Sequence, residues 1–198
     1  RGAEGKGKKE SRIFCVMGTP VDLRPVRFFV SIIYQENGQM PEIENNLISL
    51  FGEILSRTDI APFLHTSYYE REMGSGLLRY FLLFKPLMSR EKLPSLKLKT
   101  NEFEKKMSVE GKRIINIDPG YIALEQVILA TTKGYTHRIY LGQGIYADLT
   151  LIYTGGSFGP LPWTYPDYGG PEIISMLNRW REEYKADLRG GFLHEKSP

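Results

Sequence analysis

Two short apolar runs place the strongest limit on the fold of this chain. RFFVSIIY (27–34) is rich in β-branched and aromatic residues, LLRYFLLF (77–84) is rich in leucine and aromatic residues, and each is eight residues long, which is typical of buried strands. Both are far shorter than the roughly 20 apolar residues that a membrane-spanning helix needs. We therefore predict that both runs are buried strands of one sheet, and that the second run ends at Lys85-Pro86.

Helical patterns alternate with these runs. The segment 42–57 is predicted to be one amphipathic helix, and Ser67 and Glu70 stand at capping-box spacing before a short helix that Gly74 ends. A further helix is predicted from Ser89, and a last helix from Pro171. The apolar residues at helical spacing in the first of these helices are Ile43, Leu47, Leu50, Phe51, Ile54 and Leu55.

Two further segments indicate strands. KRIINI (112–117) is predicted to be a strand that ends in the turn DPGY, which places Asp118 just beyond the strand end. In ALEQVILATTK (123–133), the Val-Ile-Leu core favours a strand for the second half.

The order of these elements predicts a single α+β domain. We expect a largely antiparallel sheet with helices packed mainly on one face, and the first half allows a ferredoxin-like topology. The domain is expected to span residues 13–188, between a flexible basic tail (1–12) and a C-terminal tail (189–198). The tail 1–12 has five basic and two acidic residues, so it accounts for the whole net charge of +3. The neutral body weakens the case for nucleic-acid binding.

The segment HRIYLGQGIYADLTLIY (137–153) predicts a hairpin whose register follows from its own pattern. A three-residue loop, Gly142-Gln143-Gly144, puts the apolar residues on one face and Arg138, Tyr140, Tyr146, Asp148 and Thr150 on the other. Arg138 then lies opposite Asp148, and Tyr140 lies opposite Tyr146. Two interpretations are open: this polar face binds a ligand, or it is a solvent-facing salt pair beside an aromatic pair.

Several polar and aromatic residues near the hairpin are candidate site residues. Asp118 either binds a metal, a proton or a ribose hydroxyl, or caps its own turn. ATTKGYTHR (130–138) gathers Thr131, Thr132, Lys133, His137 and Arg138, which are donors for a phosphate or carboxylate or form a polar turn. GPLPWTYPDY (159–168) is either a lid with Trp163 or Tyr165 over the polar face, or a loop packed on the core.

The sequence favours neither a zinc site nor a secreted protein. It has one cysteine, Cys15, three histidines without ligand spacing, and no signal-peptide pattern. We name no cofactor or metal, and only a carboxylate site from Glu72, Asp118, Asp148 and Asp167 stays open. A cytoplasmic location without membrane contact is expected.

The chain resembles a bacterial family through a series of long motifs. They are MGTP, RFFVSIIY, YYEREMGSGL, KTNEFE, NIDPGYI, VILATTKGYTHRIYLGQGIYADLTL and PLPWTYPDY, in that order. They resemble domain-of-unknown-function family 4416 over roughly Phe14 to Tyr184. The resemblance implies a single-domain cytoplasmic protein of bacteria and carries over no catalytic residue. Some members have a "GTP-binding" label, for which this sequence offers no P-loop.

Our leading hypothesis is a protein that binds a small polar ligand, such as a phosphate- or nucleotide-containing molecule. The predicted ligand-binding residues are Lys133, Arg138, Tyr140, Tyr146, Asp148, Trp163 and Tyr165. If the protein is an enzyme, Asp118 or His137 is the expected acid–base group. The alternatives are RNA binding through exposed Tyr and Trp, and a non-catalytic protein-interaction module. The sequence leaves the oligomeric state open.

Overall fold

The computed structural model describes residues 23–35, 40–64 and 69–194, without the side chains of residues 70, 71 and 191–194. The predictions for the basic tail 1–12, for Cys15 and for the capping-box Ser67 lie outside these residues. Within them, the helices are α1 (Met40–Phe51), α2 (Glu70–Met73), α3 (Leu93–Lys106) and α4 (Pro171–His194), with a 3-10 turn at Arg90–Lys92. The strands are β1 (Val26–Tyr34), β2 (Ile54–Arg57), β3 (Ala61–Pro62), β4 (Leu78–Met88), β5 (Ile115–Ile122), β6 (Gln126–Thr131), β7 (Arg138–Gly142), β8 (Ile145–Thr154) and β9 (Ser157–Pro160).

The strands form one antiparallel sheet, which confirms the predicted single α+β domain. Its order is β2-β4-β1-β5-β6-β8-β7, while β3 pairs with β4 and β9 pairs with β8. The first half of the domain has the ferredoxin-like topology that the sequence allowed. Its elements follow one another along the chain as β1-α1-β2-β4-α3-β5, and its strands lie in the sheet in the order β2-β4-β1-β5.

Both faces of the sheet are covered at β1, because every residue of this strand is buried. One face packs Phe28, Val30 and Ile32 against α1 and α3. The other face packs Phe29 against Trp180 and Tyr184 of α4. Two of the three long helices therefore share a face. None of the described helices is long and apolar enough to cross a membrane.

The predicted end of the first helix and the predicted end of strand β4 are both wrong, and both lie next to Pro86 in the structure. Helix α1 ends at Phe51 because Gly52 has a φ of +88°, and a Cβ there would lie 2.5 Å from Pro86 Cγ. Ile54 and Leu55 therefore belong to β2 rather than to the helix. Strand β4 continues through Pro86, which lies where the β1–β4 register shifts. A proline is tolerated at such an irregularity, since no regular ladder hydrogen bond is lost.

The predicted turn at Asp118-Pro119-Gly120 is also wrong. These residues lie inside β5, where Asp118 pairs with Ser31 of β1. Gly120 serves a close approach instead of a turn, because a Cβ there would lie 2.5 Å from the carbonyl oxygen of Ile128. At the other end of the chain, α4 continues to His194, so the first part of the predicted C-terminal tail is helical.

The sheet splits between β5 and β6. All eight residues of β5 pair with β1, but only Gly120, Tyr121 and Ile122 pair with β6. The residues that would continue the ladder, Asp118 on β5 and Thr131 on β6, are not paired with each other. This gap opens the sheet at its middle.

Candidate functional site

Side chains of α3 fill the bottom of the gap between β5 and β6. Lys97 Nζ donates to the carbonyl oxygen of Ile117 at 2.9 Å, and the Ile117 N–H donates to Glu104 Oε1 at 2.7 Å. The backbone N–H and C=O groups of successive strand residues point to opposite neighbouring strands. The backbone N and C=O of Pro119 therefore point to the same edge of β5 as the N–H and C=O of Ile117, the edge toward β6. Since Pro119 has no N–H, it cannot donate to β6, and the ladder stops at Gly120. Two side chains thus replace the backbone partners of Ile117.

Above these side chains lies a cavity of about 670 Å³. This volume falls within the range typical of small-molecule sites. The cavity is lined by residues of β1, β4, α3 and β5, by Phe63, Tyr69 and Arg113 outside these elements, by the end of β6 and by the loop before α4. Its polar lining residues are Ser31, Tyr69, Arg79, Lys97, Asn101, Arg113, Asn116, Asp118, Thr131, Thr132, Lys133, Tyr165, Asp167 and Tyr168.

Asp118 lies in this cavity with both carboxylate oxygens held. Lys97 Nζ donates to Oδ1 at 3.0 Å, and Asn116 Nδ2 donates to Oδ2 at 2.7 Å. Burial alone would raise the pKa of Asp118, but the charge and hydrogen bond of Lys97, with Asn116 and Arg79, keep it below its ordinary value. The side chain is 29% exposed. Asp118 is therefore an ionised, accessible and fixed hydrogen-bond acceptor.

Arg113 extends this network toward the surface. Its Nη1 donates to Asn116 Oδ1 and to Glu104 Oε2, each at 3.1 Å, and its Nη2 donates to Glu72 Oε2 at 2.6 Å. The hydrogen bonds with Arg113 lower the pKa of Glu72, whereas burial raises the pKa of Glu104. A continuous chain of hydrogen bonds thus runs from Glu72 to Asp118.

Arg79 anchors the loop before α4 to the cavity. Its Nε donates to Ser31 Oγ at 3.0 Å, and its Nη1 pairs with Asp167. The guanidinium carbon lies 4.4 Å from the ring centre of Phe81 and 4.8 Å from that of Tyr168. These cation–π contacts fix Arg79 and hold the segment 165–168 as a cavity wall.

Two predicted pairs of the hairpin are confirmed, since Arg138 pairs with Asp148 and Tyr140 pairs with Tyr146. The predicted three-residue loop is wrong: the register shifts after Tyr140, Gly142 pairs with Ile145 as the last residue of β7, and only Gln143 and Gly144 connect the strands. The expected burial of the hairpin's apolar face is wrong on β7, where Ile139 is 68% exposed and Leu141 is 40% exposed. The reason is that β7 is the outermost strand of the sheet.

The aromatic loop does cover the polar face of the hairpin. Trp163 stacks on His137 at 5.0 Å between ring centres, and its Nε1 donates to the carbonyl oxygen of Leu149 at 2.8 Å. Arg138 donates to Asp148 Oδ2 at 2.8 Å and to the Tyr165 hydroxyl at 2.8 Å. Of these residues only Tyr165 also lines the cavity.

The sequence-predicted site residues therefore separate into three groups. Asp118, Lys133 and Tyr165 line the cavity. His137, Arg138, Asp148 and Trp163 form an adjoining cluster outside its lining. Tyr140 and Tyr146 pack on each other at the outer edge, with Tyr140 exposed.

The four carboxylates considered for a metal site do not converge. Each pairs with a different basic side chain: Glu72 with Arg113, Asp118 with Lys97, Asp148 with Arg138, and Asp167 with Arg79. Within the described part of the chain, no three His, Cys, Asp or Glu residues gather as metal ligands.

Sequence reasoning missed Ser31, Arg79, Lys97 and Arg113. A signal was present for two of them, since Ser31 and Arg79 interrupt the apolar runs RFFVSIIY and LLRYFLLF. A polar residue inside a buried strand needs a polar partner on the same face. No local pattern points from Lys97 or Arg113 to Asp118, because the fold brings them together.

A second concavity lies between β9 and α4, bordered by Phe158, Ile174 and Asn178. Its charged residues, Arg179, Glu182 and Glu183, are all exposed. It is an open surface groove, so the cavity in the split sheet is the stronger candidate.

Comparison with known proteins gives one match. A family model described as "Domain of unknown function (DUF4416)" matches residues 24–184. This range includes every strand and helix that lines the cavity. Searches of curated proteins and of solved structures found no match.

Proposed function

The chain belongs to the DUF4416 family, and on that premise we propose that it binds a small polar ligand with an anionic group, such as a phosphate, in the cavity of the split sheet. The adjoining cluster of Arg138, Asp148, His137 and Trp163 supports one wall of this site. A bacterial, cytoplasmic setting is part of the same proposal, and the resemblance of the sequence motifs supports it.

The observation that carries the proposal is the charge of the cavity lining. Four basic side chains from separate parts of the chain line it: Arg79 on β4, Lys97 on α3, Arg113 before β5 and Lys133 after β6. Among the described side chains, the carboxylates of Asp118 and Asp167 share the lining, and Glu72 and Glu104 pair with Arg113 from beside it. Phosphates and carboxylates are bound by such convergent charge-assisted donors.

A buried network of charged groups such as the one around Asp118 would stabilise the fold less than apolar packing if its role were purely structural. Buried ion pairs lose hydration, and apolar residues of similar volume often stabilise a fold as well or better. Lys97 is buried, yet its partner Asp118 is open to the cavity. Charged groups held in a cleft in this way are typical of binding and catalytic sites.

If a reaction takes place in the cavity, Asp118 is the better acid–base candidate of the two that the sequence named. It lines the cavity and is ionised. His137, by contrast, is stacked against Trp163 with Nε2 3.4 Å from Asp148 Oδ2.

Ligand binding can be tested by thermal shift and calorimetry with nucleotides, sugar phosphates and inorganic phosphate. A ligand at 100 times its Kd should stabilise the protein by about 2.7 kcal/mol. Lys133→Ala and Arg113→Ala should weaken binding, whereas Lys99→Met, on the exposed side of α3, should not. The proposal fails if no anionic ligand stabilises the protein, or if both cavity variants bind as well as the parent.

The outer edge of β7 favours a protein-interaction module as a second candidate. Within the described residues, no strand pairs with this edge, and Ile139, Tyr140 and Leu141 are exposed there. An edge strand without lysine or proline is a template for a further strand. A second copy of the chain is the occupant we infer, because two antiparallel copies of one edge complement each other. Sedimentation should show a dimer that Ile139→Lys disrupts; a monomer at all concentrations contradicts this candidate.

RNA binding stays a prediction. Trp163 and Tyr165 are exposed, and each also makes a hydrogen bond within the protein. RNA retention that falls with added salt, measured on residues 23–194, would support it.

A further inference from the structure

We propose that Asp118 and Lys97 read neighbouring hydroxyl groups of a sugar, and that Arg113 and Lys133 hold a phosphate on the same ligand. The ligand class is then a phosphorylated sugar, either free or as part of a nucleotide. This inference rests on the proposed function and adds the part of the ligand that reaches the bottom of the cavity.

The geometry of the Asp118–Lys97 pair suits hydroxyl groups. Each Asp118 oxygen accepts one hydrogen bond, from Lys97 or Asn116, and each can accept another. Lys97 has three donors, of which the Ile117 carbonyl and Asp118 take two. A sugar hydroxyl both donates and accepts. One hydroxyl can therefore donate to Asp118 while it accepts from Lys97, and its neighbour can donate to the second carboxylate oxygen.

The Asn116 side chain supports this role because its orientation is fixed. Its Oδ1 accepts from Arg113, so its Nδ2 is directed to Asp118 Oδ2 at 2.7 Å. The carboxylate plane is thereby held from both sides before any ligand arrives. Such preorganisation reduces the entropy lost on binding.

The phosphate belongs at the other end of the cavity. A phosphate at the Asp118 end would meet an ionised carboxylate and be repelled by it. Arg113 is separated from Asp118 by Asn116, and its side chain is 28% exposed. Lys133 is exposed and follows Thr131 and Thr132, which also line the cavity. Arg113 is already paired there with Glu72 and Glu104, so we expect Lys133 to make the principal phosphate contact and Arg113 to add positive charge beside it.

Aromatic rings complete the match. Phe63, Tyr69, Tyr165 and Tyr168 line the same cavity. Ring faces pack well against the C–H face of a sugar or against a nucleobase. A volume of about 670 Å³ has room for a sugar with one phosphate and a base.

The test compares matched ligands by titration calorimetry. The pairs are ribose 5-phosphate with 2-deoxyribose 5-phosphate, glucose 6-phosphate with 2-deoxyglucose 6-phosphate, and AMP with dAMP. For at least one pair, we expect removal of the hydroxyl to weaken binding about tenfold or more, because a charged partner is left unsatisfied. Asp118→Asn, which keeps the shape, should abolish this preference, and circular dichroism should confirm its folding.

The Lys133→Ala variant tests the phosphate contact independently of the hydroxyl contact. It should weaken both members of a pair by the same factor and leave their ratio unchanged. If phosphorylated sugars bind without preference for the hydroxyl, or if the preference survives in Asp118→Asn, the hydroxyl-reading role is overturned while the proposed function stands. If only other anions bind, the sugar is ruled out; if no anion binds, both proposals fall.

Discussion

The two edges of strand β5 differ in what completes their backbone hydrogen bonds. Toward β1, the register runs unbroken from Ile115 to Ile122. Toward β6, it covers only three residues, and then Lys97 and Glu104 of α3 take over at Ile117. One strand is thus part of the core on one edge and of the candidate site on the other.

This difference shows how the domain combines rigidity with an opening. The closed edge buries apolar side chains on both faces of β1, so it supplies stability. The open edge satisfies its backbone groups with charged side chains, which leaves room beside Asp118. Stability and binding should therefore respond to substitutions at different edges.

The largest effect is expected from Phe28→Ala on the closed edge. Phe28 is fully buried, with its ring centre 6.1 Å from that of Phe51 and 6.0 Å from that of Tyr121. The substitution should lower the free energy of unfolding by about 4 kcal/mol, measured by urea denaturation. Ligand affinity of the folded protein should be unchanged; a matching loss of affinity would mean that the two edges are not separable.

A smaller loss is expected from Gly120→Ala, at the point where the β5–β6 ladder ends. An added Cβ would lie 2.5 Å from the Ile128 carbonyl oxygen and 3.0 Å from Phe29 Cζ. Forcing the strands apart should cost about 2 kcal/mol of stability and widen the split. Gly159→Ala in β9, where a Cβ meets no atom within 4 Å, is the matched control. Equal unfolding curves for the two variants would show that Gly120 does not set the approach of β6.

The smallest effects are the pH dependences on the open edge, which should have opposite signs. The pKa of Asp118 is lowered in the folded state, so its stabilisation is present above about pH 3.9 and is lost as the pH falls through the folded pKa. The pKa of Glu104 is raised by burial, so its contribution is greatest below about pH 4.3 and is lost as the pH rises through the folded pKa.

Urea unfolding of Asp118→Asn and Glu104→Gln between pH 2.5 and 7 measures these contributions. Relative to the parent, Asp118→Asn should be most destabilised near neutral pH, whereas Glu104→Gln should gain relative stability as the pH rises above about 4.3. Parallel pH profiles for the two variants would contradict the opposite environments of the two carboxyl groups.

The sequence was sufficient for features that local patterns determine. The strands β1 and β4 follow from short continuous apolar runs, and the pairs Arg138–Asp148 and Tyr140–Tyr146 follow from the alternation along the hairpin; the structure confirms both. The segment Asp118-Pro119-Gly120 misled because it has the composition of a turn, while its glycine serves a close contact and its proline ends a ladder.

Only some of the residues that line the candidate cavity could be predicted from the sequence. Asp118 was recognised because it was predicted to follow a strand end, and Lys133 and Tyr165 were recognised because they lie in a polar and an aromatic cluster. Arg79 and Lys97 were not, because their partners Asp167 and Asp118 are 88 and 21 positions away. Ion pairs over such separations depend on topology rather than on local pattern.

The replacement of backbone partners by Lys97 and Glu104 has a consequence for how such a domain can evolve. In a closed sheet, the partner of a strand residue is another backbone group, and changing it requires a shift of the whole register. At Ile117 the partners are side chains of a helix. A single codon change can therefore alter what borders the cavity, so new ligand preferences can arise while the strand order is conserved.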